Sequence, residues 1–561
     1  MTVEVSWASR VEMFTPKLVT MLREGYSLAF FRSDALAGLT VAIVALPLSM
    51  AIAIASGAPP QTGLTTAIIG GFLISALGGC RFQVGGPAGA FIVVVAATIA
   101  RFGMDGFMLA TLMAGVLLMA AGYLRLGTYV KYIPYPVTIG FTAGIAVIIF
   151  AGQLHELLGL TLANEPGEFV PKVEALWVVA GSYNAWAIAI SVFCIATIVA
   201  LRIWKPRFPG LLAAVTLAAL ATYALHLPVE TIGSRFGALP RGLPWPHLPD
   251  LSLARISEVA PAAFTFALLG GIESLLSAVV ADGMSGRMHR SNCELVAQGV
   301  ANIASACFGG ICATGTIART ATNVRAHAHG PVSGMLHAVF LLVFMIVAAP
   351  LADAIPLAAL SAVLAVVCWN MADRGEFLAL LRHDRGDAVV LLATFLLTVF
   401  RNLTEAIAVG VVLGAFLFMH RMAGIVEVGV DSSAQDQDGP ALEDDADIMV
   451  YRMDGPFFFG AAGMVNSVLT RLNDWPKAFI LDLSRVPLAD ATAAQTLENF
   501  ILRAQKHSVD IYLANVLPRV QKVLVANGIA PPLVTYAANE ADARLAARDK
   551  MRARQSVLSQ P

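Results

Sequence analysis

Charge is scarce in this sequence. Of 561 residues only 13% are Asp, Glu, Lys or Arg, and 37 basic residues balance 38 acidic ones to a net −1. A soluble domain carries about 25% charge, so most of this chain is not built to face water. The near-zero net charge gives no bulk attraction for nucleic acid. Cysteine is sparse as well. The six residues, Cys80, Cys194, Cys293, Cys307, Cys312 and Cys368, form no CxxC pattern, which argues against a zinc ribbon or a disulfide framework. They lie in or beside apolar stretches and read as small buried side chains. No Walker loop, HExxH or GxSxG motif occurs, so an ATP-driven pump and the commoner hydrolases are set aside. The chain is not read as an enzyme, and no metal site or cofactor is expected.

What the sequence has in abundance is long apolar runs. Hydrophobic residues make up 57% of the chain, and the mean hydropathy is +0.73. "DALAGLTVAIVALPLSMAIAIASG" and "GMLHAVFLLVFMIVAAPLADAI" are each long enough for a bilayer core that needs about 20 residues. Such blocks recur from 34 to 425, and with two short ones the expectation is fourteen segments. Residues 1–33 mix both charges without an apolar core and read as a cytoplasmic segment, not a signal peptide. Residues 426–446 are polar and acidic, a linker. From 447 to 545 strand-like and helix-like stretches alternate, which predicts a small α/β domain. Residues 546–561 form a tail.

Arginine and lysine orient the spans. With both ends cytoplasmic, "RLGTYVK", "RIWKPR", "GRMHR" and "RTATNVR" fall inside and the acidic "HELLGLTLANEPGEFVPKVEA" outside. The loop "GSRFGALPRGLPW" runs against the trend.

Two stretches resemble each other faintly: "GGCRFQVGGPAGAF" from Gly78 and "GGICATGTIARTA" from Gly309. Each opens a segment too short and too broken to span. Paired interruptions at matching places in two halves point to a transporter's binding site. With seven spans per half the second half is inverted, so two short helices would meet N-terminus to N-terminus. Unpartnered amides and the helix dipoles make such a junction a place for an anion, and Pro87 suits a first helical turn. Arg319 lies one turn into the second short helix. It either adds positive potential behind the anion or neutralises a cluster of carbonyls. Glu273 lies mid-helix in "FTFALLGGIESLLSAVVADG", with Ser277 four residues on and on the same face. A lone intramembrane carboxyl can carry a coupling proton, and a carboxylate–hydroxyl pair can hold Na⁺; the bland alternative is a packed polar residue. Pro47 would kink the first span. Ser49 and Gln61 are candidate cavity residues. "HAHG" at 327–330 and Asp282 read as solvated.

"VAIVALPLSMAIAIASG", "GGPAGAF", "GGIESLLSAVV", "TGTIARTATNVRA" and "LDLSRVPLADATA" together resemble the sulfate permease (SulP) family of anion transporters, and within it the bacterial C4-dicarboxylic acid transporter branch. The resemblance implies two inverted seven-segment repeats, a core domain moving against a gate domain, and a homodimer in a bacterial inner membrane. It implies an anion held by Pro87, Ala88 and Gly89 on one side and by Gly315, Thr316, Ile317 and Ala318 on the other, with Arg319 in the family's arginine position and Glu273 and Ser277 in the coupling-ion positions. Ala88 and Ile317 stand where some members carry hydroxyls, and Glu273 where sodium-dependent members carry aspartate. The expectation is therefore proton-coupled symport of a C4-dicarboxylate or sulfate, with sodium-coupled bicarbonate symport or a signalling protein without transport as alternatives. The carboxy-terminal domain resembles a STAS domain, which implies a dimer contact or a cytoplasmic regulatory partner. Ala491 replaces the phosphorylatable serine that follows the aspartate in some STAS relatives, so a phospho-switch does not carry over.

Overall fold

The structure, a computed structural model, describes residues 12–162, 166, 169–205, 208–401, 403–430, 447–470 and 475–558. Most of the acidic linker, and parts of the amino-terminal segment, of the loop after residue 162 and of the tail, lie outside the described residues. The chain divides into two compact units, Met1–Val411 and Val412–Pro561.

Nine helices among the described residues are long and apolar enough to cross a bilayer. One of them is two segments. The helix Ile92–Tyr123 breaks at Gly103, whose φ of 70° a residue with a side chain rarely adopts. Counting its two pieces apart and adding the shorter helices gives fourteen segments. They are Leu28–Ala55, Pro60–Leu77, 89–102, 104–123, Tyr135–Leu158, Ala185–Trp204, Gly210–Leu225, Leu253–Ser285, Ser291–Cys307, Ile317–Arg325, Val332–Ala352, Leu357–Met371, Arg385–Phe400 and Leu403–Ala423. Local chemistry marks their ends. Asn184 caps the sixth and Asp384 the thirteenth through side-chain oxygens, and Gly159 ends the fifth in a left-handed turn.

Segments one to four pack with eight to eleven, whereas the fifth packs on the twelfth and thirteenth and the sixth on the seventh and twelfth. The first group holds both broken segments. Pro47 lies inside the first segment, and a π-helical turn, Thr66–Gly70, interrupts the second. Such irregular backbone is tolerated at this depth only where protein satisfies it.

The second unit carries a five-stranded sheet in sequential order. Its strands are Glu427–Val430, Ile448–Asp454, Ala478–Arg485, Asp510–Ala514 and Thr535–Ala537; the first pair is antiparallel and the rest are parallel. Buried Phe479, Leu481, Leu497, Phe500 and Leu513 join sheet and helices in one apolar core. The helix Ala491–Lys506 starts on Asp490, which accepts from Ala493 N at 2.8 Å and from Phe459 N at 2.9 Å.

Candidate functional site

The two glycine-rich stretches cross. Gly85–Gly86 (β1) and Thr314–Gly315 (β2) pair as an antiparallel ribbon, Gly85 opposite Gly315 and Gly86 opposite Thr314. Each strand feeds a helix. A 3₁₀ turn, Gly89–Phe91, opens the third segment behind an extended Ala88, and Ile317 opens the tenth behind an extended Thr316. Neither cap residue satisfies the helix start with its side chain. The first amides of both helices therefore lack intrahelical partners, and two positive dipole ends adjoin. An antiparallel crossing with a helix leaving each strand is the local symmetry an inverted repeat produces. The ribbon brings Pro87, Ala88 and Gly89 together with Gly315, Thr316, Ile317 and Ala318. Ile317 and Ala318 are exposed, Gly89 is half-buried, and the other four are buried. Beyond Gly89 stand Ile149 of the fifth segment and Met371 of the twelfth, each 3.5 Å from where a Cβ would be.

Arg319 is 1% exposed. Its guanidinium turns back under the start of the third segment. It donates to Gly85 O at 3.2 Å, Pro87 O at 3.3 Å and Ser49 Oγ at 3.0 Å, while Nε has no partner. All three acceptors are neutral, and no ion pair to Arg319 forms among the described residues. The arginine thus holds carbonyls, and no acidic side chain among the described residues pairs with its charge. A Cβ on Gly86 would overlap the guanidinium, and one on Gly315 would overlap the Gln83 amide. Glycine permits this close approach at both, where a side chain would have to displace the end of Arg319 or of Gln83.

Small polar side chains brace the ribbon. Thr66 Oγ1 accepts from Ile311 N at 2.6 Å. Asn302 accepts from Ala313 N at 2.9 Å and donates to Ala313 O at 2.7 Å. Ser274 Oγ accepts from Gly315 N at 3.2 Å and lies 2.9 Å from Thr314 Oγ1. Thr320 Oγ1 accepts from Val84 N at 3.2 Å and from Ser277 Oγ at 3.1 Å. The expected face-sharing of Glu273 and Ser277 takes a different form. The Ser277 hydroxyl goes to the tenth segment, and Glu273 Oε2 is buried without a partner. Ser274, which the sequence did not single out, makes the direct contact to the ribbon.

Other residues fall as follows. Gln61 and Pro47 line an apolar cavity of about 640 Å³ among the first, second, seventh and eleventh segments. Asp282 is engaged rather than merely solvated, at 2.6 Å from His289 Nδ1. The "HAHG" turn is held by Asp34, a wholly buried carboxylate that accepts from His329 N at 2.6 Å and Gly330 N at 3.0 Å. A second buried carboxylate, Glu294, accepts from Cys80 N at 3.0 Å and Gln298 Nε2 at 2.9 Å. The sequence held a signal for it: Glu294, Gln298 and Asn302 recur every four residues on one helix face.

In the second unit Asp482 is 2% exposed. Burial alone would raise its carboxyl. Donation from Asn515 Nδ2, Ser484 N, Arg452 Nε and Ser484 Oγ outweighs that and holds it below its usual range. Ala491 and Thr492 at the following helix start are exposed.

Residues 31–394 match the sulfate permease family and residues 439–543 match the STAS domain. The putative sulfate transporter YvdB of Bacillus subtilis is 38% identical over 90% of this chain and 95% of its own length. The bicarbonate transporter BicA of Picosynechococcus is 29% identical over 88% of this chain and 90% of its own. Among solved structures, the murine Slc26a9 anion transporter in its inward-facing state superposes with a TM-score of 0.84 at 18% identity, covering 98% of this chain and 96% of that one. The transmembrane domain of a cyanobacterial bicarbonate transporter BicA gives 0.62 at 30% identity, over 70% of this chain and 98% of that one.

Proposed function

This chain belongs to the sulfate permease family and carries a carboxy-terminal STAS domain, and we propose that it is a secondary active anion transporter working by alternating access. The observation that carries the reading is Arg319. A buried guanidinium that meets only neutral acceptors, at the junction of two helix N-termini, leaves net positive potential where an anion completes the charge balance. Pro87, Ala88, Gly89, Gly315, Thr316, Ile317 and Ala318 supply the cradle by backbone. Movement of the segments that carry the ribbon against the fifth and twelfth, which meet at Gly89, would expose the site to each side in turn.

The finer reading is proton-coupled symport of a C4-dicarboxylate or of sulfate. Glu273 supports it, because a buried carboxyl oxygen without a partner beside the ribbon can gain and lose a proton as the anion comes and goes. Ser277 spends its hydroxyl on Thr320, which leaves no ready carboxylate–hydroxyl pair for Na⁺. A second reading, sodium-coupled bicarbonate symport, is favoured by the likeness to relatives named as bicarbonate transporters. The protein would sit in a bacterial inner membrane with both ends cytoplasmic, as a homodimer, with the STAS domain as dimer contact or docking point for a regulatory protein. The test is uptake of labelled succinate, sulfate and bicarbonate into proteoliposomes under an inward proton gradient. Succinate or sulfate uptake that collapses with the gradient is the expected result. Uptake of bicarbonate that follows sodium favours the second reading, and no flux of any anion overturns transport.

A further inference from the structure

A cavity of about 380 Å³ lies among the first, third, fifth and twelfth segments. At one end it is lined by Ile92 and Ile149, next to Gly89, and at the other by Gly57 and by Lys172 of the helix Phe169–Val178. Most of the lining is apolar. Two side chains are exceptions. Gln153 on the fifth segment is 5% exposed and Ser361 near the start of the twelfth is 4% exposed, and neither hydrogen-bonds to another described residue. Their side chains are largely buried, yet their polar atoms stay open to the cavity and have no partner among the described residues, so they are free to meet a polar group that enters it. Of the charged residues in the lining, Lys172 already has a partner. Glu156 is paired with Arg235 and lies 3.4 Å from His155. The twelfth helix begins at Leu357, so its N-terminal turn flanks the cavity with the positive end of its dipole.

We propose that Gln153 and Ser361 form a transit site, where the transported anion is held by an amide N–H and a hydroxyl before it enters or after it leaves the ribbon cradle. The site takes a carboxylate or an oxyanion, because both side chains can donate and the adjoining dipole favours negative charge. The inference rests on the anion-transport reading. Wild-type flux tests that reading, and the sidedness of variants tests this one.

The experiment measures KM from each face of oriented proteoliposomes, with the anion that wild type carries, for Gln153→Leu, Ser361→Ala and Gln153→Glu. Gln153→Leu and Ser361→Ala should each raise KM about three- to tenfold from the face onto which the loop after the fifth segment opens. KM from the opposite face should not change. Gln153→Glu, which places a carboxylate in the anion's path, should give the largest one-sided rise, and Gln153→Asn should restore most of the affinity. Unchanged KM from both faces, or an equal rise from both, overturns the transit site.

Discussion

Two buried charges, one in each unit, are treated in opposite ways. Asp482 in the STAS domain accepts from four donors on three residues, one of them the cationic Arg452. Arg319 in the membrane unit donates to three oxygens, none of them charged, and leaves its Nε without a partner. A charge whose partners are all internal belongs to the fold. A charge left partly uncompensated in a dry site is one the fold tolerates for something that comes from outside. The same contrast recurs within the membrane unit between Glu294, which is bonded to a backbone amide and to Gln298, and Glu273, whose Oε2 has no partner.

The sharpest way to break the comparison is Arg319→Gln. If the charge serves the anion, affinity should fall at least about thirtyfold, since truncating one side of a buried charge pair costs several kcal/mol. Thermal stability should change little, because a neutral amide still reaches some of the same carbonyls. Lost folding with retained affinity in the surviving fraction would make Arg319 a structural residue. Arg319→Lys should fall between, as a point charge replaces the fork.

Glu273→Gln and Glu294→Gln form the matched pair for the carboxylates. Glu273→Gln should abolish accumulation against a concentration difference while exchange of anion for anion persists. Glu294→Gln should leave coupling intact and lower stability by about 1–3 kcal/mol, as it weakens acceptance from a buried amide. The readouts are concentrative uptake, counterflow and thermal unfolding in detergent. Concentrative uptake unchanged in Glu273→Gln would discard its coupling role.

Much of this was legible before any coordinates. Low charge and long apolar runs state the membrane class outright, because a bilayer leaves no other way to use them. The interrupted pair of stretches and Arg319 stood out because glycine and arginine break hydrocarbon patterning so visibly, whereas the individual cradle residues were assigned to the anion only through the family resemblance. Hidden were the contacts that depend on the crossing itself. Nothing in the local pattern says that Ser49 meets Arg319 or that Asn302 clasps Ala313, since small polar residues in apolar helices look alike until the helices pack. Asp34 was hidden for the same reason. Besides Tyr26, its partners His329 and Gly330 lie nearly three hundred residues on, out of reach of any local pattern.

In the STAS domain the comparison predicts a pH effect. The folded carboxyl of Asp482 is held below its unfolded value, so it contributes stability that is complete above about pH 4 and is lost as pH falls through the folded value. Asp482→Asn should lower domain stability by about 2 kcal/mol at neutral pH and flatten the acid limb. Hydrogen exchange of the sheet amides from about pH 5 down to about pH 2, in the full chain, measures both. An acid limb identical in the variant would assign it to other carboxylates.

The smallest expected effect separates Ser274 from Ser277. Each is a buried hydroxyl on the eighth segment, one bonded to the ribbon and the other to Thr320 of the tenth. Ser274→Ala removes the acceptor of Gly315 N and leaves a buried amide unmatched in the cradle. Ser277→Ala removes a donor from Thr320, which still accepts from Val84 N. A net hydrogen bond is worth about 1 kcal/mol, so Ser274→Ala should weaken anion affinity about fivefold. Ser277→Ala should shift it less than twofold under a proton gradient, and should not alter any dependence on sodium. A larger loss in Ser277→Ala that sodium rescues would mean that Ser277 turns from Thr320 to a cation during transport, and the coupling ion would then be Na⁺ rather than a proton on Glu273.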